Sequence, residues 1–349
     1  MSNYAIILAG GIGSRFWPLS RECLPKQFLR IIGKDTLLET TIKRIRPIIL
    51  NENIFIVTNR IYLEEIKRQS RKFRIPAENI VLEPKPLNTL PAISLCAQII
   101  SLKDNQANLL VLPTDHYIKN RLEFKQDILK AQNLAAKGFL CLMGIKPDSP
   151  RLGYGYIKAG GKIGQSTFYV KSFQEKPTLN RAKSLLKERD TFWNAGIFYF
   201  KTRVLLREIK IHLPGFYRQI TKIKDKQDIK KVWYKIKPIS IDYGLLERSR
   251  NLVMIKAQFD WCDLGSWNTL CSVLLKDSKN NVILSDSVNL DSSGIFVYSH
   301  NPQHLIATIG LKDLIIADTQ DALLVCRKDK SQEIKRLVEI LKKKRKKCV

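Results

Sequence analysis

The chain has 349 residues, 44% of them hydrophobic, which is enough for one large core and a smaller second one. No apolar run approaches the ~18 residues of a membrane-spanning helix, and the N-terminus lacks the basic start of a secretory signal, so neither a membrane span nor export is expected. Lys and Arg number 60 against 32 Asp and Glu, a formal charge of +28 that favours anionic partners (nucleotides, phosphosugars, nucleic acid, membrane surfaces) without choosing among them.

In chain order, Ala5–Leu8 is a short apolar run of the kind that forms a buried strand. Gly10, Gly11 and Gly13 follow, then Arg15, Arg21 and Lys26. A glycine turn after a first strand, with cations just beyond, suits a bound polyphosphate. It is neither common phosphate motif: Phe16 stands where a Rossmann loop needs its third glycine, and no Lys-Ser or Lys-Thr pair follows as in a P-loop. Thr36–Glu39 reads as a capping box opening a helix toward Ile49. Ile54–Val57 is a predicted strand, 62–73 a basic amphipathic helix, Ile80–Leu82 a strand, and 89–102 a helix that tolerates Pro91 in its first turn. Strand 109–112, helix 121–137 and strand 139–145 continue the alternation, which argues for a mostly parallel sheet covered by helices on both faces. Ligands of such sheets bind beyond the carboxyl ends of the strands, where the Gly10 loop, Glu83-Pro84 and Pro113-Thr114-Asp115 all lie.

The second half is looser. Strands are predicted after Gly153–Tyr156, at 168–174, at 193–200 and at 252–255; helices at 216–237, 241–248 and 265–275. From about Asn280 short β segments recur at 282–284, 295–297, 305–307, 314–316 and 323–325, separated by turns, and a helix over 331–341 runs into six consecutive cations, Lys342–Lys347. The expected domains are therefore 1–277, 278–341 as a small β module with its helix, and 342–349 as a disordered basic tail. Seven cysteines, an odd number with no Cys-x-x-Cys pair, read as reduced thiols in a cytoplasmic protein, and the four histidines do not join them in a zinc pattern.

Several side chains are candidates for chemistry. Asp115 follows a buried strand, where a carboxylate either holds a divalent cation against phosphates or simply caps a turn. Asp263 lies between Trp261 and Trp267, two rings that suggest a pocket wall. In the loop Glu83–Ile93, Glu83 and Asn88 are placed to read a purine edge, although a turn and a helix cap explain Asn88 and Pro91 equally. Glu175-Lys176 sets an acid beside a base at a strand end, suited to sugar hydroxyls and a sugar phosphate. Asn194 is a polar amide in an apolar run and needs a partner.

The run Leu8–Phe28, with Trp17-Pro18-Leu19-Ser20-Arg21 and Pro25-Lys26-Gln27-Phe28, resembles the signature of the sugar-1-phosphate nucleotidylyltransferases, in particular the mannose-1-phosphate guanylyltransferase branch. Seven further segments are similar to that family in the same order: 83–93, 112–116, 153–156, 173–177, 193–200, 241–247 and 261–267. The resemblance implies a nucleotide-diphospho-sugar transferase fold followed by a small left-handed β-helix, and synthesis of GDP-mannose and pyrophosphate from GTP and α-D-mannose 1-phosphate with Mg²⁺. It assigns Leu8, Gly10, Gly11, Gly13, Arg15, Glu83, Asn88, Thr89, Pro91, Ala92 and Asp115 to the nucleotide. Gly153, Tyr154, Glu175, Lys176, Asn194 and Asp263 go to the sugar phosphate, and Asp115 and Asp263 to the metal. Arg15, Lys26, Asp115 and Asp263 form the catalytic set, with Lys26 on the transition state. Leu90 stands where the family usually has a small residue, and Gly244-Leu245-Leu246 varies another of its stretches. The resemblance also implies that relatives often carry a C-terminal isomerase domain, and none is expected within these 349 residues.

A sugar phosphate is already a nucleophile at neutral pH, so the barrier is the approach of two anions, which cations and a metal relieve. Rival readings are the same chemistry on a manno-heptose or glucose phosphate or with another nucleotide, a non-catalytic sugar-nucleotide-binding subunit, and a polyanion binder driven by the tail. A homodimer is compatible with the sequence; no specific nucleic acid is expected as a partner.

Overall fold

The computed structural model describes residues 2–11 and 13–344, so the end of the basic tail lies outside the described residues. Strands and helices alternate first: β1 (Asn3–Leu8), α1 (Leu37–Ile45), β2 (Ile54–Asn59), α2 (Leu63–Arg71), β3 (Ile80–Glu83), α3 (Thr89–Lys103), β4 (Asn108–Pro113), a short β5 (His116–Ile118), α4 (Arg121–Ala136) and β6 (Leu140–Ile145). A hairpin of β7 (Gly155–Gly164) and β8 (Thr167–Glu175) is followed by α5 (Leu179–Leu186), the long β9 (Thr191–Lys201), α6 (Thr202–His212), α7 (Pro214–Ile220) and α8 (Lys226–Trp233). A π-helical turn over Asp242–Leu246 precedes β10 (Leu252–Lys256), β11 (Trp261–Asp263) and α9 (Trp267–Val273). Six short strands come last, β12 (Val282–Ile283), β13 (Ser287–Leu290), β14 (Phe296–Ser299), β15 (Ile306–Ile309), β16 (Leu314–Asp318) and β17 (Leu323–Arg327), then α10 (Ile334–Lys344).

By packing, the chain divides into two units. One comprises Met1–Gly10, Glu39–Thr114 and Ile118–Trp261, and the other Gly11–Leu38, Asp115–Tyr117 and Cys262–Val349. This differs from the division at 277 expected from sequence texture. The physical reason is a shared apolar core in the second unit. Phe16, Trp17 and Leu29 of the glycine-loop segment pack with Leu264, Trp267, Phe296, Ile315 and Val338.

The first unit is built on a nine-stranded mixed sheet in the order β3-β2-β1-β4-β9-β6-β10-β8-β7. β1 pairs in parallel with β2 on one side and β4 on the other, and Leu8 lies level with Val57 and Pro113. The strand order therefore reverses at β1–β4, a switch point at whose carboxyl ends α/β sheets open a crevice. β9 is antiparallel to β4 and β6, and β10 is again parallel to β6. The core is dense: Ile6, Leu109, Leu110, Val111 and Met254 have no exposed surface.

The helix expected over 216–237 is two helices, α7 and α8. The break holds because Asp225 accepts from the backbone N–H of Gln227 and Asp228, starting α8 afresh. The short helix expected at 241–248 is the π-helical turn. α5 and α6 were not read from the sequence.

In the second unit, β12, β14 and β16 stack in parallel, β13 pairs with β15 in parallel, and β17 closes the stack antiparallel to β16. This is a β-helix-like module. Trp267 is fully buried against Phe16 and Phe296, so it is core and not a pocket wall. α10 continues through Lys342, Lys343 and Lys344, so the first half of the basic run is helical where disorder was expected. No helix among the described residues is long and apolar enough to cross a membrane. No described cysteine is in a disulfide; Cys23 is exposed, and burial pushes the thiols of Cys96 and Cys141 up.

Candidate active site

In the second unit, Arg15, Lys26, Asp115 and Asp263 are brought together. Lys26 is paired with Asp115 through Nζ and Oδ2, and both side chains are largely buried. The Asp115 backbone carbonyl accepts from Leu264 N–H at 2.9 Å, which ties the two aspartate-bearing turns to each other. Burial works to raise the Asp115 carboxyl, but the Lys26 ammonium and the His116 charge outweigh it and hold the group below its ordinary value. Asp263 shifts the other way: burial first, then the negative charge of Asp115, raise it against Lys26 and Arg15. Two neighbouring carboxylates pushed in opposite directions are a frequent mark of a working site.

Two glycines make this packing possible. Gly13 has φ +71°, and a Cβ there would lie 2.5 Å from Lys26 Cγ. A Cβ on Gly265 would lie 2.6 Å from Asp263 Oδ1 and 3.3 Å from Arg15 Nη1. Gly11 is exposed with open space around it. Arg21, expected among the phosphate cations, instead bonds Asp321 Oδ1 at 2.6 Å.

In the first unit, Gly10 and Glu83 meet. A Cβ on Gly10 would stand 3.7 Å from Glu83 Oε2 and 3.9 Å from Asn59 Nδ2, and Asn59 donates to the Gly10 carbonyl at 3.3 Å. Glu83 is 7% exposed and its Oε1 has no hydrogen-bond partner among the described residues. Burial pushes its carboxyl up to about 7, opposed only by the Leu87 N–H. Asn88 caps α3 with φ +73°, accepting from Thr89 N–H. Thr89 Oγ1 accepts from Ile241 N–H at 2.9 Å. Pro91 and Ala92 are buried in the first turn of α3, so their side chains face the core. Leu90 is fully buried, and a Cβ on Gly244 would come within 2.8 Å of its Cδ2. The larger side chain at 90 is thus accommodated against a glycine.

A third cluster lies at the carboxyl end of β8, also in the first unit. Glu175 and Lys176 pair at 3.1 Å. Asn194 donates to Asp242 Oδ1 at 3.1 Å and accepts from Gly196 N–H, while Glu247 accepts from Glu175 N–H at 2.8 Å. Burial, then the charge of Asp242, push Glu175 up to about 7, and burial raises Asp242 as well. Gly153 stands in open space; it is Gly155, paired in register with Glu175, whose missing Cβ leaves room for the Glu175 carboxylate. Tyr154 meets Trp193 and Trp261 edge to face. Asp242, Glu247, Gly155 and Asn59 were not singled out from the sequence; Asp242 and Glu247 lie in a stretch flagged only by its resemblance.

The Nucleotidyl transferase family matches residues 4–280, and a MannoseP isomerase/GMP-like beta-helix domain matches 285–341. The chain belongs to the nucleotidyltransferases. A mannose-1-phosphate guanylyltransferase of Salmonella muenchen is 38% identical over 97% of this chain and 73% of its own length. The xanthan biosynthesis protein XanB of Xanthomonas campestris is 35% identical over 97% and 73%. A Thermus thermophilus structure described as a mannose-1-phosphate geranyltransferase superposes with a TM-score of 0.88 at 31% identity, over 98% of this chain and 100% of that one. This nucleotidyltransferase is therefore an enzyme, and several of its relatives are named mannose-1-phosphate guanylyltransferase.

Proposed function

We propose that this nucleotidyltransferase makes GDP-mannose and pyrophosphate from GTP and α-D-mannose 1-phosphate. The observation that carries the reading is the cluster of Arg15, Lys26, Asp115 and Asp263, two cations and two carboxylates of opposite shift. Lys26 and Arg15 neutralise the phosphates and the charge that develops as the α-phosphorus changes partners. Their positions are set before substrate arrives, Lys26 by Gly13 and Asp115, Arg15 beside Asp263.

Mg²⁺ fits this donor set. Two carboxylates are what the ion takes from proteins when substrate phosphates and water complete its shell. Among the described residues no group of three or more His, Cys, Asp or Glu forms a closed metal cage. Asp115 and Asp263 would hold the ion, which when bound supplies charge neutralisation at the phosphates.

Glu83, at a sheet edge ending beside Gly10, offers carboxylate acceptors to the two edge donors of guanine. Glu175, Asn194 and Asp242 offer acceptors and an amide to sugar hydroxyls, with Lys176 for the sugar phosphate. Free thiols at the six described cysteines are in keeping with a reducing compartment such as the cytoplasm.

The test is pyrophosphate release with GTP, ATP, UTP and dTTP against mannose, glucose and manno-heptose 1-phosphates. GTP with mannose 1-phosphate should give the highest kcat/KM. A different nucleotide or sugar at the top of the panel overturns the assignment.

A further inference from the structure

We infer that Asp321, on the turn between β16 and β17, is a positioning residue for the catalytic loop, acting through Arg21. The inference rests on the catalytic role proposed for Lys26 and Arg15. Its residues lie 300 positions apart in sequence but within one packed unit.

The loop from Gly13 to Phe28 has no α-helix or strand: besides single turns of 3₁₀ helix at Ser14–Phe16 and Lys26–Phe28 it holds isolated turn bonds, from Leu19 and Ser20 N–H to the Phe16 carbonyl and between Arg21 and Leu24. It is closed on itself by Ser20 Oγ donating to the Gly13 carbonyl at 2.7 Å and by Lys26 packed over Gly13. Arg21 sits between the two catalytic cations. Its backbone closes a tight turn with Leu24. Its guanidinium lies 5.5 Å from the Trp17 ring centroid, and its side chain is only 11% exposed. Nη1 is buried without a hydrogen-bond partner among the described residues, so the charge depends on what Nη2 meets. Nη2 meets Asp321 Oδ1 at 2.6 Å, with Thr319 Oγ1 at the limit of reach. Asp321 is about half exposed at 52%, and Thr319 Oγ1, which donates to the Ala322 carbonyl at 2.9 Å, lies 3.2 Å from its Oδ1.

Other elements of the second unit grip the same loop. Trp267 Nε1 donates to the Trp17 carbonyl at 3.0 Å, and Trp267 packs on Phe296. Lys342 of α10 pairs with Glu22. The Trp267 contact is buried and serves stability in any reading; the Lys342 pair is exposed and weak. Among the described residues, only the Arg21–Asp321 pair joins a mostly buried cation of the loop to a carboxylate of the module. Without Asp321 the guanidinium must seek water or another acceptor, and the turn at 21–24 moves with it. Lys26 and Arg15, the two ends of that loop, then lose their fixed geometry.

The experiment compares Asp321→Ala, Asp321→Glu and the charge-exchanged pair Arg21→Asp with Asp321→Arg in the full chain. kcat and KM come from pyrophosphate release, corrected for the folded fraction by near-ultraviolet circular dichroism. Asp321→Ala should lower kcat about 10-fold, with KM for GTP changed less than about 3-fold, as a displaced catalytic group requires. Asp321→Glu should recover most of the loss. A lower Tm with kcat per folded molecule unchanged would make the pair merely structural and overturn the inference. So would a raised KM at unchanged kcat. The exchanged pair, which restores the ion pair with reversed charge, should keep kcat within about 3-fold of the unaltered enzyme, and a loss as large as that of Asp321→Ala overturns the inference; if Asp321→Ala does not fold, Asp321→Asn carries its criteria. The substrate reading fails separately, in the panel on the unaltered enzyme; the Asp321 comparison then runs on whichever pair that enzyme turns over.

Discussion

Gly13→Ala isolates how the loop holds Lys26. The backbone at Gly13 has φ +71°, where an L side chain costs about 1–2 kcal/mol. The new Cβ would also lie 2.5 Å from Lys26 Cγ, 2.6 Å from Cδ and 2.7 Å from Cβ. Contacts that close are not tolerated, so the Lys26 stem must shift by on the order of 1 Å, a displacement that costs roughly 100-fold when it moves a catalytic group. Gly33→Ala is the control. Gly33 has φ +74° but open space around it, so it carries the backbone cost alone. Both variants should lose about 2–8 °C in Tm, from about 2–4 °C per kcal/mol. Only Gly13→Ala should lose kcat, by about 100-fold, in the pyrophosphate-release assay at saturating substrates. If Gly13→Ala keeps kcat within about 3-fold while Tm falls as predicted, Lys26 is not set by this glycine and the positioning argument fails.

Asp115→Asn and Asp263→Asn keep shape and remove charge; each should lower kcat/KM by about 100-fold or more, and near-normal rates at saturating Mg²⁺ would remove that residue from the metal role. Glu83→Gln should change both stability and selectivity. The folded carboxyl ionises only at about 7, above its unfolded value, so the folded state holds more protons in between and stability falls as pH rises from about 4.5 to 7. The variant should lack that fall, worth up to about 3 kcal/mol, and should narrow the GTP over ATP preference; Tm profiles of identical slope from pH 5 to 8 would refute it. Asn88→Gly retains a φ of +73° without strain, so Tm should barely move, while loss of a base contact would narrow the GTP over ATP ratio about 5- to 10-fold; an unchanged ratio leaves Asn88 as a cap alone.

The parts of the fold legible in sequence are those fixed by local pattern. The apolar runs 5–8, 54–57 and 109–112 are β1, β2 and β4, and the turns that follow them carry Gly10 and Asp115 at the strand ends. Glu175 and Lys176 were legible because acid and base are adjacent. Partners distant in sequence were not. Nothing local links Asn194 to Asp242, or Arg21 to Asp321. Trp267 looked like a wall because two tryptophans flank Asp263; its burial comes from Phe296, about thirty positions on. Gly153 and Gly155 are alike in the sequence, and only the register with Glu175 tells them apart. The helical reading of 216–237 concealed a break, because Asp225 within it is a cap.

Cys23 has a practical consequence. It lies on the catalytic loop between Arg21 and Lys26 and is exposed, while Cys96, Cys141 and Cys271 are buried and Cys262 and Cys326 are partly covered. Maleimides attack accessible thiolates, so a dye should attach there ahead of the other described thiols. With Cys348, which lies outside the described residues, exchanged for serine, one fluorophore would sit on the turn that Asp321 anchors. Its anisotropy would report loop motion during turnover, turning an incidental thiol into an optical gauge of catalysis.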